Sequence, residues 1–108
     1  MKIEVNTYNT IEGFHCWPDA TGGFEYLSKR HRHIFVIRGS FSVSHGNREI
    51  EINHQQNMIE GFLVAKYGRP CEFGSLSCEQ IAKELMIQFE MSSCQVLEDG
   101  YGGATLTR

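Results

Sequence analysis

His31-Arg32-His33-Ile34-Phe35-Val36-Ile37-Arg38-Gly39-Ser40-Phe41-Ser42-Val43-Ser44 is the stretch that decides the fold. Phe35, Ile37, Phe41 and Val43 are aromatic or β-branched, fall on one period-two face and have little helix tendency, so the stretch reads as a strand. The same alternation puts the imidazoles of His31 and His33 on one side. Upstream, Ile3 and Val5 alternate with Lys2 and Glu4, so a first strand runs from Lys2 to Tyr8 and extends through Ile11 toward His15. Between the two strands, Trp17-Pro18-Asp19-Ala20-Thr21-Gly22-Gly23 predicts a loop, because proline and paired glycines break regular ladders.

Downstream, the turn His45-Gly46-Asn47 leads into Arg48-Glu49-Ile50-Glu51-Ile52, whose alternation predicts a hairpin with the central strand. From Asn53 the period changes. Met58, Ile59, Phe62, Leu63 and Lys66 recur at helical spacing, which predicts a helix near 54–66, ended by Gly68-Arg69-Pro70. A second helix begins with a capping box, Ser77 at the N-cap and Gln80 three residues on. Its apolar stripe is Ile81, Ala82, Leu85, Met86 and Phe89. Cys94 to Glu98 reads as a strand, and Gly100, Gly102 and Gly103 separate it from a last extended run, Ala104 to Thr107. The order ββααββ predicts an α+β domain, with an antiparallel sheet and two helices on one face.

The chain has 108 residues, so residues 1–108 are expected to form one domain, and 41% hydrophobic with 11% aromatic content is ordinary globular composition. No apolar run is long enough for a membrane-spanning helix. The N-terminal residues lack the apolar core of a signal peptide. Cys16, Cys71, Cys78 and Cys94 form no CxxC pair, so reduced thiols and a cytoplasmic location are the expectation. Cys71 and Cys94 read as small buried hydrophobes. The net charge of −3 counts against nucleic acid as a partner, despite the local cluster Lys29-Arg30-His31-Arg32-His33.

The five histidines are the lead toward function. Two imidazoles two residues apart on a strand lie about 6.5 Å apart along the chain and can converge on one ion. His15, at the end of the first strand, would join them if the two strands pair antiparallel. Three histidines with an open fourth position are how catalytic zinc is commonly held. A basic, solvated strand end or an anion patch is the alternative reading of the same residues.

Taken together, these features resemble the 6-pyruvoyl-tetrahydropterin synthase and 6-carboxytetrahydropterin synthase family, the tunnelling fold. That family places one zinc-binding histidine at the end of its first strand and a histidine–x–histidine pair at the start of its second, as His15, His31 and His33 stand here. Leu76-Ser77-Cys78-Glu79 occupies the place of the family's Pro-Thr-Ser-Glu-like helix start. Val96-Leu97-Glu98, followed by Gly103-Ala104, resembles its last-strand glutamate and the turn after it. The resemblance implies a tunnelling-fold subunit, a bound zinc ion, and a pocket at a subunit junction of a homo-oligomer. It further implies that Glu98 accepts hydrogen bonds from the N–H edge of a pterin or purine, a charge-assisted fork, while Ser77 and Cys78 flank the ring.

The chain also departs from that pattern. Tyr26-Leu27-Ser28-Lys29-Arg30 carries no cysteine before the histidine pair. Lys66-Tyr67-Gly68-Arg69-Pro70-Cys71-Glu72 carries neither the aspartate nor the histidine that many family enzymes place after the first helix. Glu25, Glu72 or His54 could stand in as a proton-transfer group. Alternation sends Cys16 to the side away from His15. Trp17 is a core or interface residue, or a stacking wall for a flat ring. Lys29, Arg30, Arg32 and Arg69 could meet an anionic group, although Arg32 should face away from the histidines.

Retained recognition with lost chemistry favours a protein that binds a small purine-, pterin- or nucleotide-like molecule, to sequester or sense it. The alternative is a zinc-dependent lyase acting on dihydroneopterin triphosphate or a related pterin. In that reading zinc polarises the side-chain hydroxyls, and the catalytic base is unidentified.

Overall fold

The computed structural model describes all 108 residues, Met1–Arg108. Strand β1 (Ile3–His15) pairs antiparallel with β2 (His31–Val43) along its whole length, from Ile3 opposite Val43 to His15 opposite His31. A short 3-10 turn, Glu25–Ser28, lies in the connection. Helix α1 (Ile52–Tyr67), strand β3 (Cys71–Gly74), helix α2 (Cys78–Phe89) and strands β4 (Ser93–Glu98) and β5 (Gly102–Thr107) follow. The order is therefore ββαβαββ, and the strands lie β3-β1-β2-β4-β5 across one sheet. No helix is long and apolar enough to cross a membrane.

The α+β class, the central strand and both helices match the reading of the sequence, which is consistent with a tunnelling-fold-like subunit. Two elements differ. Arg48–Ile52 is not the second arm of a hairpin. Arg48 has a φ of 54°, which breaks an extended run, and Glu51 instead caps α1, its carboxylate accepting from the amides of Asn53 and His54. β2 is already flanked by β1 along its length and by β4 over Phe35–Ser40. The second difference is β3. Four residues between the helices pair parallel with the end of β1, so the sheet is only mostly antiparallel.

Both helices pack on one sheet face. Phe35, Ile37 and Val96 of the sheet meet Ile59 and Leu63 of α1 and Ile81 and Leu85 of α2, all fully or almost fully buried. Burial of each such side chain contributes about 1.5–3 kcal/mol. The α2 stripe is buried as expected through Met86, and Phe89 packs partly against the core. On α1 only Ile59 and Leu63 are buried, and Met58 is exposed.

Glycine 13 allows the site end of the sheet to close. A Cβ there would lie 2.7 Å from the Phe73 ring and 3.0 Å from the Phe35 ring. Those rings meet edge-on with centroids 5.0 Å apart, and Phe35 forms the floor beneath His15 and His33.

Candidate metal centre and adjoining cavity

Register brings the histidines together. His15 stands directly opposite His31, and Gly13 stands opposite His33, so all three imidazoles rise from one face at one end of the β1–β2 pair. Their ring centroids lie 4.7 to 5.3 Å apart, each pair edge to face. Phe35 continues the same face and packs under His15 and His33. Glu98, the last residue of β4, pairs with Phe35 and so reaches the same place from the neighbouring strand.

Each ring is oriented by a partner on its Nδ1. His15 Nδ1 lies 2.9 Å from the Leu76 carbonyl, His31 Nδ1 lies 2.8 Å from the Lys29 carbonyl, and His33 Nδ1 lies 2.7 Å from Asp99 Oδ2. A carbonyl or ionised carboxylate can only accept, so each Nδ1 donates its proton and each neutral ring keeps a lone pair on Nε2. One ligand atom from each of His15, His31, His33 and Glu98 lies within 4.8 Å of the others.

This donor set fits a cation. His15 Nε2 is fully buried with no hydrogen-bond donor, yet Glu98 Oε2 stands 2.8 Å away and is also 3.5 Å from His33 Nε2. For the neutral Nδ1–H ring, that places a nitrogen lone pair against a carboxylate oxygen. A single metal ion satisfies all four donors at once, and tetrahedral sites with bonds of about 2.0 Å separate their ligand atoms by about 3.3 Å. The His15, His31, His33 and Glu98 cluster is partly buried and could hold a metal ion.

The Nδ1 partners complete the arrangement. Asp99 accepts from His33 and from the Ile34 amide at 2.9 Å. Its carboxyl is held below the usual aspartate range, first by the His33 hydrogen bond and then by the Ile34 amide. Asp99 carries no signal beyond its place after Glu98, and the reading of the sequence gave it no role. The carbonyls of Leu76 and Lys29 have no sequence signature at all.

A cavity of about 280 Å³ opens beside the cluster. His15, His31, Glu98, Ser77 and Cys78 line it, so five of the six residues proposed from the sequence as metal or ligand contacts share one space, and His33 is not among the lining residues. Trp17 and Leu27 supply apolar wall, and Gly103 brings the β5 backbone to the edge. A Cβ on Gly103 would fall 1.9 Å from the Val96 carbonyl oxygen, so no larger residue fits there. Ser77 accepts from the Gln80 amide at 3.2 Å while Gln80 Oε1 accepts from the Ser77 amide at 2.9 Å, which is the expected capping box. The Cys78 thiol is pushed up to about 12, chiefly by burial and then by Glu98 and Glu79, so it stays protonated at neutral pH. Cys71 and Cys94 are fully buried and their thiols are likewise raised, to about 11 and about 12.

Cys16, which follows His15 directly, also lines the cavity. The strand ends at His15, and the Cys16 amide donates to the Gly74 carbonyl at 2.9 Å. The candidate proton-transfer groups do not gather here. Glu72 is bound by Arg30 through two hydrogen bonds of 2.6 and 2.8 Å, Glu25 accepts from the Gly23 amide, and His54 lies exposed on the first turn of α1. Three of the four basic residues considered for an anion are taken up by carboxylates of the chain: Arg30 by Glu72, Arg32 by Glu12 and Arg69 by Glu60.

No protein-family model matches the chain, and no curated protein matches it. What it shares with the tunnelling fold is an α+β architecture, a ββααββ-like order of elements and the cluster of three histidines and a glutamate.

Proposed function

We propose that this chain is a divergent tunnelling-fold protein that binds a purine-, pterin- or nucleotide-like heterocycle in the cavity beside a zinc ion. His15, His31 and His33 are the zinc ligands, Glu98 anchors the heterocycle's N–H edge, and Ser77 and Cys78 flank the ring. The ligand is sequestered or sensed rather than turned over. The observation that carries this reading is the single cavity lined by His15, His31, Glu98, Ser77 and Cys78. Imidazole nitrogens with one carboxylate suit zinc better than the hard, oxygen-seeking cations. Trp17 and Leu27 give a flat ring an apolar wall, and Lys66–Glu72 carries no aspartate or histidine where many family enzymes place an aspartate–histidine pair. A homo-oligomer with subunits meeting near the cavity accords with the open sheet edges, since β1 has a strand on its outer side only at Gly13–His15 and β5 ends the sheet.

Mass spectrometry of small molecules released on denaturation, with elemental analysis of the same sample, tests the reading. A heterocycle with a 2-amino-pyrimidinone edge and one equivalent of zinc are expected; neither recovered, with no binding of added neopterin or guanosine, refutes it. Glu98→Gln is expected to weaken neopterin binding at least tenfold, about 1.4 kcal/mol.

One observation favours the enzyme alternative, a zinc-dependent lyase on dihydroneopterin triphosphate: Cys16, a free and half-buried cysteine next to His15, is among the residues that line the cavity. Zinc, when bound, would polarise the substrate's side-chain hydroxyls. Product analysis after incubation with dihydroneopterin triphosphate separates the two; intact substrate supports binding, and release of triphosphate supports the lyase.

A further inference from the structure

We propose that Glu98 is an exchangeable ligand: its carboxylate closes the three-histidine centre when the cavity is empty and leaves it to hold the heterocycle when the cavity fills. The inference rests on the binding reading above and adds a coupling between the two sites.

Glu98 stands where both duties meet. Its Oε2 lies 2.8 Å from His15 Nε2 and 3.5 Å from His33 Nε2, among the converging donors, while the residue also lines the cavity. The two duties exclude each other. A fork onto a heterocycle's N–H edge presents both carboxylate oxygens in parallel to two donors. A carboxylate with Oε2 turned in among the imidazoles cannot present that edge to the cavity.

Glu98 is also free to move, and its neighbour is not. Asp99 is tethered by the His33 ring and the Ile34 amide. No protein N–H or O–H outside the histidine cluster donates a hydrogen bond to the Glu98 carboxylate, whose closest charged or ring partners are His15 and His33. Its backbone is fixed between Phe35 of β2 and Gly102 of β5, so rotation of the side chain alone carries the exchange. Two adjacent carboxylates thus divide the work: Asp99 stays with the ring it orients, and Glu98 exchanges. Heterocycle binding then converts a centre closed by a carboxylate into one held by three imidazoles, and the two binding events are linked.

The test uses the full chain loaded with Co2+, whose visible absorption reports its ligand set. Replacement of Glu98 by Gln is expected to change that spectrum and to weaken Co2+ affinity by at least about tenfold, because losing a ligand costs no less than losing the hydrogen-bond partner that orients one. Saturating the wild-type protein with neopterin is expected to move its spectrum to that of the free Glu98→Gln variant. Far-UV circular dichroism checks that the variant is folded; if it is not, the wild-type titration decides alone. An unchanged Co2+ spectrum in the folded variant overturns the exchange. Neopterin that binds by calorimetry while leaving the wild-type spectrum unmoved also overturns it, with the binding reading intact. Failure of both neopterin and guanosine to bind brings down the binding reading and the exchange with it.

Discussion

Asp99 accepts the Nδ1 proton of His33 at 2.7 Å, and in doing so it turns the ring's Nε2 toward His15 and Glu98. Asp99 holds a φ of 56°, a conformation that Asp and Asn tolerate better than most side chains. Carboxylate partners of metal-binding histidines raise ligand basicity and hold the ring in place. Asp99→Ala is therefore expected to weaken zinc or Co2+ affinity roughly 10- to 100-fold in a chelator competition. Asp99→Asn, which keeps an acceptor and the backbone preference, should lose less. Equal affinity in all three proteins would show that His33 needs no such partner.

Gly13 tests the floor of the site. Gly13→Ala pushes a methyl group into the Phe73 and Phe35 rings. Overpacking of this kind costs about 1–3 kcal/mol, read from denaturant unfolding. Because Phe35 supports His15 and His33, metal retention should fall as well. A variant as stable as the wild type would mean that the rings move aside freely.

Ser77 caps α2 and lines the cavity, so its two roles can be separated. Ser77→Ala should cost about 1 kcal/mol of stability, while Ser77→Thr should retain most of the cap. Should Ser77→Ala also weaken neopterin binding and Ser77→Thr not, the hydroxyl serves both. Urea unfolding and calorimetry on the same three proteins make the comparison.

Glu51 gives the fold a pH-dependent contribution. The amides of His54 and then Asn53 hold its carboxyl below the ordinary value of 4.5. A carboxyl lowered on folding stabilises above its unfolded value, and that contribution is lost as pH falls through the folded value. Wild type should therefore exceed Glu51→Gln in stability at neutral pH, and the difference should shrink from about pH 4.5 downward. Thermal unfolding of both proteins from pH 7 to pH 3 measures it; a constant gap would place the effect in shape rather than charge.

Much of this architecture was legible in local pattern. The alternation of Phe35, Ile37, Phe41 and Val43 marked β2, and the Ser77–Gln80 pair marked the start of α2, because each signal lies within a few residues of what it specifies. The same rule misled at Arg48–Ile52, where alternation imitates a strand but Glu51 caps a helix. β3 was invisible, since four residues carry too little periodicity and its partner is the distant end of β1.

What the sequence determined by itself was the α+β class and the shared face of His31 and His33, since a strand's period of two is a property of the chain's own backbone. Tertiary structure alone decided the rest of the centre. The β1–β2 register set His15 opposite His31, and the β2–β4 register set Glu98 beside Phe35 and so against the imidazoles. The backbone carbonyls of Leu76 and Lys29 fixed which nitrogen of His15 and His31 faces inward. Every residue has a carbonyl, so only the folded path of the chain could choose those two.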